Sequence, residues 1–468
     1  VILVHPGLRR VVQHAYRAAS ASQNEKKIMN KRILIWSIIS ALAGFLFGFD
    51  TVVISGAEQK IQALWHLDAA MHGIAIASAL YGTVLGAMGG GFVSDRLGRR
   101  RTLFLIGVLY LIGSIWSALA NDVAGFLIAR VLGGIGIGVS TVAAPLYISE
   151  ISPARHRGRL AGMFQFNIVF GILVAYLSNA ALAGIGEQAW RWMLGVAAFP
   201  SLIYTLLTLG LPESPRWLIA RKGNFAEARR VLAQIDPTAS EADILAQAES
   251  IRSASAAVGH SVFWTWKLRQ PILLAFLIAF FNQLSGINAI LYFAPRIFQL
   301  TGLGAKAALL QSVGIGVTNL IFTFIGIWLI DRLGRRTLLY IGSVGYIGSL
   351  GMVSWAFFTN HYSLVPPCIF AFIAAHAIGQ GAVIWVYISE IFPNRQRAEG
   401  QALGCGTHWI FAALLTSVFP RMVAAFAPGY VFLFFAGMMV LQLIWVKTMV
   451  VETKGVALEQ MEARLLAG

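Results

Sequence analysis

Charge is scarce in this chain, and negative charge is scarcest. Only 12% of its 468 residues are charged, 20 acids stand against 36 bases, and 57% of the residues are hydrophobic. With a mean hydropathy of +0.72, the chain has more apolar surface than a water-soluble core can hide, which excludes an ordinary soluble domain. Cysteine is nearly missing. Cys368 and Cys405 both fall in long apolar runs, so neither a disulfide framework nor the paired spacing of a metal site is present, and no cofactor is expected. A nucleophile paired with a base, a phosphate-cradling loop and a secretory leader pattern are also lacking, which makes an enzyme the least expected class. The glycines at 133, 134, 136 and 138 have no strand before them and read as close helix packing instead of a nucleotide fingerprint.

What the chain has is repetition inside apolar runs. Asp-Arg-Leu-Gly-Arg-Arg occurs at Asp95 to Arg100 and again at Asp331 to Arg336, and Tyr-Ile-Ser-Glu-Ile occurs at Tyr147 and at Tyr387; the two spacings are 236 and 240 residues. Such duplication is an architecture of transport proteins, with the substrate site between the halves. Apolar runs of membrane-crossing length start near Ile33, Gly73, Thr102, Val123, Leu160 and Trp192, and then near Pro271, Ala307, Thr337, Leu364, Gly400 and Tyr430. The expected fold class is therefore an all-α membrane protein with twelve transmembrane helices in two six-helix bundles. Its expected parts are an N-terminal extension (1–30), a first bundle (31–211), a helical linker (212–268), a second bundle (269–450) and a tail (451–468).

The net charge of +16 is explained by topology. Of the 36 Lys and Arg, 30 lie in the terminal and even-numbered segments and five (Lys60, Arg191, Arg296, Lys306, Arg421) in odd-numbered loops, while Arg130 lies in a span. By the positive-inside rule both termini and the even loops are cytoplasmic, and nucleic acid is not an expected partner. No function is expected of residues 1–30, and Met29 is a candidate start. In the linker, Asn224 with Glu227 and Ser240 with Asp243 carry the signature of helix N-caps, which predicts short amphipathic helices beneath the membrane part.

Each hexapeptide combines an acid, a tight glycine turn and guanidinium groups. Glu150 or Glu390 ends a later helix of the same half, with Arg157 or Arg397 seven residues beyond. These residues are expected to form charge networks at helix ends, able to break and re-form in a gate; the plainer alternative is that they only set topology. Together with Pro212-Glu213-Ser214-Pro215-Arg216, Gln283-Leu284-Ser285-Gly286-Ile287-Asn288 and Glu452-Thr453-Lys454-Gly455, the repeated hexapeptide makes the chain resemble the sugar porter family of the major facilitator superfamily, from Met29 nearly to its end. The resemblance implies two six-helix bundles moving sugars by alternating access, as a monomer in the plasma membrane, which in a bacterium is the inner membrane. The expected cytoplasmic gate network comprises Asp95, Arg96, Arg99, Glu150, Arg157, Glu213, Arg216, Asp331, Arg335, Glu390, Arg397 and Glu452.

Two charges lie inside apolar runs. A carboxylate such as Asp50 costs about 2.5 to 3.5 kcal/mol at the centre of a membrane helix, and Arg130 is the basic residue set deepest in a span. The two are natural partners. Burial favours the neutral form of Asp50 and a nearby Arg130 favours the charged form, so a change of distance between them would move a proton on or off. The resemblance implies proton symport at this pair, with facilitative members carrying Asn in place of the acid. A static ion pair is the alternative.

A sugar site needs groups that both donate and accept, beside a flat apolar face. Gln165, Gln283, Asn288 and Asn319 are amides in apolar surroundings, and Trp385 offers the face. Gln283 and Asn288 are five apart and would share a cavity only if the helix unwinds near Ser285 and Gly286. The family's sugar-contacting positions match these residues, and also Asn282 and His408, with departures: Asn282 stands for a usual glutamine, Ile172 for a glutamine of some bacterial members, Phe293 for a tyrosine, His408 for an amide and His376 for an aromatic. Ala382 replaces a usual proline, which puts a break of the tenth span in doubt, although Gly379 and Gly381 still permit bending. The expected function is import of a monosaccharide, a hexose such as glucose or else xylose, by proton symport. The partners are then the sugar, the proton and membrane lipid. A facilitative uniporter and a transporter-like sugar receptor are the alternatives.

Overall fold

The computed structural model describes residues 30–153, 156–256, 262–393, 395–456, 461 and 465. The N-terminal extension up to residue 29 and much of the tail therefore lie outside the described residues. Among the described residues eleven helices are long and apolar enough to cross a membrane. In the first half these are Lys31–Val53, Ala69–Leu97, Arg99–Leu119, Val123–Ile151 and Arg157–Leu182. The sixth apolar run forms two shorter helices, Ala189–Gly195 and Ala198–Thr208. Pro200 lies one turn beyond the break and has no N–H for the carbonyl of Val196, which is reason enough for the interruption. Counting this broken span, the described residues hold the twelve crossings that the apolar runs predict.

The second half repeats the plan with more breaks. Its seventh span is Arg269–Leu284, Ile287–Tyr292 and Ala294–Gln299; the eighth and ninth are Ala305–Leu333 and Arg335–Phe358. The tenth is Val365–Ile378 and Gln380–Ile391, and the last two are Arg397–Ala425 and Pro428–Thr448. Gly286 takes φ 88°, a conformation that favours glycine, and this unwinds the seventh span at the place the spacing of Gln283 and Asn288 requires. The tenth span also breaks, without its proline. Gly379 adopts φ −85°, ψ −102°, and a Cβ there would come within 2.9 Å of Gly342 Cα, so the hinge needs two glycines in contact.

Close backbone approach organises the bundles. A side chain on Gly134 would run into the Ala79 carbonyl, so the second and fourth spans touch through their backbones, as the glycine cluster predicts. The halves meet where Gly73 lies on the Ser417 carbonyl and Gly316 on Leu173. Large apolar side chains such as Met88, Phe92 and Phe199 point outward, as a lipid-facing surface requires.

The linker has its own small core, in which Trp217, Leu218, Ala228, Val231 and Ala248 pack together. Asn224 accepts the Glu227 N–H at 3.1 Å and Ser240 Oγ accepts the Asp243 N–H at 3.2 Å, capping Phe225–Ile235 and Glu241–Ala256. Asn30 donates to the Gln234 carbonyl at 2.7 Å, tying the linker to the start of the first span.

Candidate functional site

The deepest charges do pair. Arg130 Nη1 donates to Asp50 Oδ1 at 2.7 Å, and both residues are about 5% exposed or less. Asp50 Oδ2 and Arg130 Nε are buried without a partner, so this pair is under-satisfied for its burial. Such a pair is sensitive to any change in charge on either member.

In the second half the broken seventh span gathers the amides. Asn288 Nδ2 donates to Gln283 Oε1 at 2.7 Å; Gln283 Nε2 donates to Asn282 Oδ1 at 2.9 Å and lies 3.2 Å from the His408 ring nitrogens. The Trp385 ring stands 5.2 Å from that of His408. Amide, imidazole and indole thus form one cluster with both donors and acceptors beside a flat ring, the chemistry that hydroxyls on a ring call for.

This cluster and the ion pair are joined by aromatic contact. His408 packs edge-on against Trp409 at 4.7 Å, and Trp409 meets Phe47 at 5.3 Å. Phe47 belongs to the first span, less than one turn from Asp50, and the Thr51 hydroxyl bonds its carbonyl at 2.8 Å. Phe47 and Trp409 therefore link the halves between the two polar centres. The sequence offered no signal for either beyond their aromatic character.

Other expected site residues stand apart. Gln165 is half-buried and makes no hydrogen bond to the described residues. Among the described residues the Asn319 side chain accepts from Thr323 alone, at 3.4 Å. His376 bonds the Tyr346 hydroxyl at 2.8 Å within the second half.

At the end bearing the two hexapeptide loops, the motif end, the duplicated sequence builds a duplicated structure. Arg99 forks onto Glu150 at 2.9 Å through both Nε and Nη2, and Arg335 onto Glu390 at 3.0 and 2.8 Å. Arg99 Nη1 reaches Asp95 at 3.0 Å and Arg335 Nη1 reaches Asp331 at 3.1 Å. Glu213 accepts the backbone N–H groups of Arg99 and Arg100; Glu452 accepts those of Arg335 and Arg336. Each acid thus caps, from a distant part of the chain, the helix that begins after the glycine turn. Gly98 and Gly334 hold φ near 90°, and a Cβ on either would strike the capping carboxylate. Burial pushes the Glu213 carboxyl above the usual carboxylate range, opposed by the N–H donors of Ser214, Arg100 and Arg99.

Among the described residues these networks lie within single halves, each hexapeptide pairing with the glutamate of its own half; Asp95 is joined further to the linker, by Arg221 at 2.6 Å and by Trp217 Nε1 at 2.8 Å to its carbonyl. Four basic residues also stay outside the ion pairs. Arg96 stacks over Phe92 at 5.3 Å and Arg216 is exposed. Arg157 donates to the Ser149 carbonyl at 3.1 Å, and Arg397 Nε and Nη2 are buried without a partner. Glu150 and Glu390 are instead held by the forks of Arg99 and Arg335. Thr453, which donates to Glu390 at 2.6 Å, and Trp217 with Arg221 are members the sequence reading missed, although both lie inside or beside quoted motifs.

Polar contacts between the halves gather toward the opposite end. Arg296 of the seventh span forks onto Glu58 at 3.0 and 2.8 Å and reaches Gln62 at 2.6 Å. The Tyr176 hydroxyl donates to the Leu291 carbonyl at 2.7 Å. The bundles are thus pinned at one end while the motif-end networks leave each half separate.

Comparison with known proteins gives the same architecture. The profile of the family described as "Sugar (and other) transporter" matches residues 36–465. The chain is 36% identical over 440 residues to the arabinose-proton symporter of Bacillus subtilis, covering 92% of this chain and 94% of that protein. It is 35% identical to the glucose transporter GlcP of Staphylococcus epidermidis, covering 92% and 96%. The inward-open structure of the xylose transporter XylE from E. coli superposes with a TM-score of 0.82 at 30% identity, over 92% of this chain and 99% of that one. With a duplicated twelve-span fold, a buried acid–base pair and a family profile spanning almost its whole length, this multi-pass membrane protein belongs to the sugar transporter family of the major facilitator superfamily.

Proposed function

We propose that the chain imports a monosaccharide with a proton by alternating access. The observation that carries the reading is the chain of contacts from Asp50–Arg130 through Phe47, Trp409 and His408 to Gln283 and Asn288. A proton on Asp50 removes the charge that holds Arg130. The first span, no longer fixed by the pair, can shift Phe47 against Trp409, and so the proton site and the sugar site act on the same interface. The relatives that carry arabinose with a proton, and glucose, support the substrate class.

On the positive-inside rule the motif end faces the cytoplasm with both termini, which makes the end closed by Glu58 and Arg296 the outer one and this conformation inward-facing, like its structural neighbour. The motif-end networks then serve to keep each half rigid as it rocks. Sugar contacts come from Asn282, Gln283, Asn288, Trp385 and His408, with Gln165 and Asn319 approaching from the facing spans. Because His408 is bonded to Gln283, the pocket presents an imidazole where an amide is usual, which retunes the choice among monosaccharides. The transporter works as a monomer in lipid.

Uptake of labelled glucose, xylose, galactose and arabinose into proteoliposomes, with and without an inward proton gradient, tests the reading. Accumulation above equilibrium only with the gradient supports it. Equilibration indifferent to the gradient refutes the symport and leaves a uniporter; absence of flux from folded protein refutes transport of these sugars.

A further inference from the structure

The outer end holds a charge cluster that the coupling pair does not use. Glu58, in the short helix after the first span, and His72, in the first turn of the second span, are both 0% exposed. His72 Nε2 stands 2.9 Å from Glu58 Oε2 without the alignment of a hydrogen bond, so that both its ring nitrogens are buried unpartnered, and the same oxygen receives Arg296 Nη2 at 2.8 Å. Arg296 comes from the other half, and its side chain is 25% exposed. Glu58 and Arg296 are 238 residues apart, inside the 236 to 240 spacing of the repeat, so the contact forms where equivalent segments of the two halves face each other. Phe293 closes over His72 with ring centroids 5.9 Å apart, and the eleventh span presents the Ser417 carbonyl to Gly73 beside it. Lys60, His66 and Asp68 nearby in the chain, and Arg421 one turn beyond Ser417 on the eleventh span, are exposed, which leaves Glu58 and Arg296 as the charged groups of this cluster among the described residues.

We propose that Glu58, His72 and Arg296 form a proton-released latch on the outer gate. The inference rests on the transport reading above and adds a second proton-sensitive element to it. A fully buried carboxylate needs a cation, because an unpaired buried charge is strongly destabilising. While His72 is neutral, that cation is Arg296, so Glu58 holds the halves together. When His72 is protonated, Glu58 has a cation within its own half and no longer requires Arg296. The freed guanidinium has water to enter, since it borders an open cavity of about 410 Å³ lined also by Gln59, Gln62 and Gln299. In the closed form protonated His72 and Arg296 compete for one carboxylate, whereas in the open form His72 has Glu58 to itself, so protonated His72 and the open form go together. A ligand that prefers one state shifts the population toward it. External acid therefore favours outward opening, just where protons for symport are available.

The test measures the gate and not the flux. Spin labels at Ala181→Cys and Ala424→Cys, on exposed positions near the outer ends of opposite halves, report the distance across the gate, with Cys368 and Cys405 replaced by alanine. The background carries Asp50→Asn, so that the coupling pair cannot supply the response. The open-to-closed ratio is expected to rise about tenfold between about pH 8 and pH 5.5, a range in which histidine changes charge and a usual size for coupling between states. His72→Gln should remain closed and lose the pH response. Glu58→Gln and Arg296→Gln, which cut the same link from opposite halves, should be open at both pH values. A pH response that survives in His72→Gln, or closure that survives in both latch variants, overturns the proposal. Because the readout is a distance, absence of sugar flux would refute transport without touching the latch.

Discussion

Asp50→Asn separates the role of the carboxylate as a proton carrier from its role as a partner for Arg130. Asparagine keeps an oxygen where Arg130 Nη1 now finds Asp50 Oδ1 at 2.7 Å, so the helices stay joined by a hydrogen bond to a charged group, worth about 1.5 to 3 kcal/mol. Deleting one member of a buried pair outright costs about 3 to 5 kcal/mol, and Arg130→Leu, which strands Asp50, should approach that loss. The expected thermal stability is therefore wild type above Asp50→Asn above Arg130→Leu. Function should order differently. With one proton per sugar, each pH unit of gradient is worth about 1.36 kcal/mol, or roughly tenfold accumulation. Asp50→Asn should lose all of that accumulation while still exchanging labelled for unlabelled sugar across the membrane, measured in the same proteoliposomes. If the variant still concentrates sugar when a proton gradient is imposed, Asp50 is not the coupling group and the chain of contacts drawn from it to Gln283 has no energetic meaning.

Gly286→Ala should lower both stability and sugar affinity, because the left-handed backbone costs an ordinary residue about 1 to 2 kcal/mol and the new Cβ would sit 2.8 Å from Phe435. Adding Phe435→Ala removes the collision and not the backbone strain, so thermal unfolding should show only partial rescue. Gln283→Ala removes the amide that joins Asn282, Asn288 and His408; it should weaken sugar binding about 5- to 30-fold, as expected for one or two hydrogen bonds, read by titration of intrinsic fluorescence, and should also lower thermal stability, because buried Asn282 and Asn288 lose a partner. Glu213→Ala should destabilise by about 1 to 2 kcal/mol, the usual worth of a cap, whereas Glu213→Gln, which keeps an acceptor, should come close to wild type. The pH dependence has a definite sign. Burial raises the folded-state value of Glu213, so as pH climbs from the ordinary carboxylate range through that raised value the unfolded chain loses its proton first and stability falls; the glutamine variant should lack this slope in unfolding measured across that range.

Much of the architecture was legible because the physics behind it is local or periodic. Apolar runs predict the spans, and the glycine set between the acid and the arginines of each hexapeptide predicts the turns at Gly98 and Gly334. The five-residue spacing of Gln283 and Asn288 even located a break, since two amides with one purpose cannot lie on different faces of an intact helix. The sixth span was read as continuous, although Pro200 was in plain sight, because hydropathy averages over a missing N–H. The partners within the gate network are less legible. The sequence places Arg157 and Arg397 near Glu150 and Glu390 along the chain, but which guanidinium wins a carboxylate depends on helix phase and on a cap delivered from Glu213 or Glu452, more than a hundred residues from the helix each one caps. The Phe47–Trp409 contact was invisible for the same reason, since apolar packing between halves leaves no motif.

The two ends of the molecule also show why repetition is informative at one end and misleading at the other. At the motif end both copies must solve the same local problem, the capping of a helix after a glycine turn, so the same residues recur and each network closes within its own half. At the opposite end the copies face each other, and like residues at facing positions could bring only like charges together. A polar link between halves there requires the repeats to diverge, as Glu58 and Arg296 do. Identity between the repeats therefore marks what holds each bundle rigid, and divergence at matched spacing marks where the bundles grip one another. By that argument the coupling and gating residues of a duplicated transporter are to be sought among positions where the repeat fails, and Asp50, Arg130, Glu58 and Arg296 all lie outside both repeated peptides.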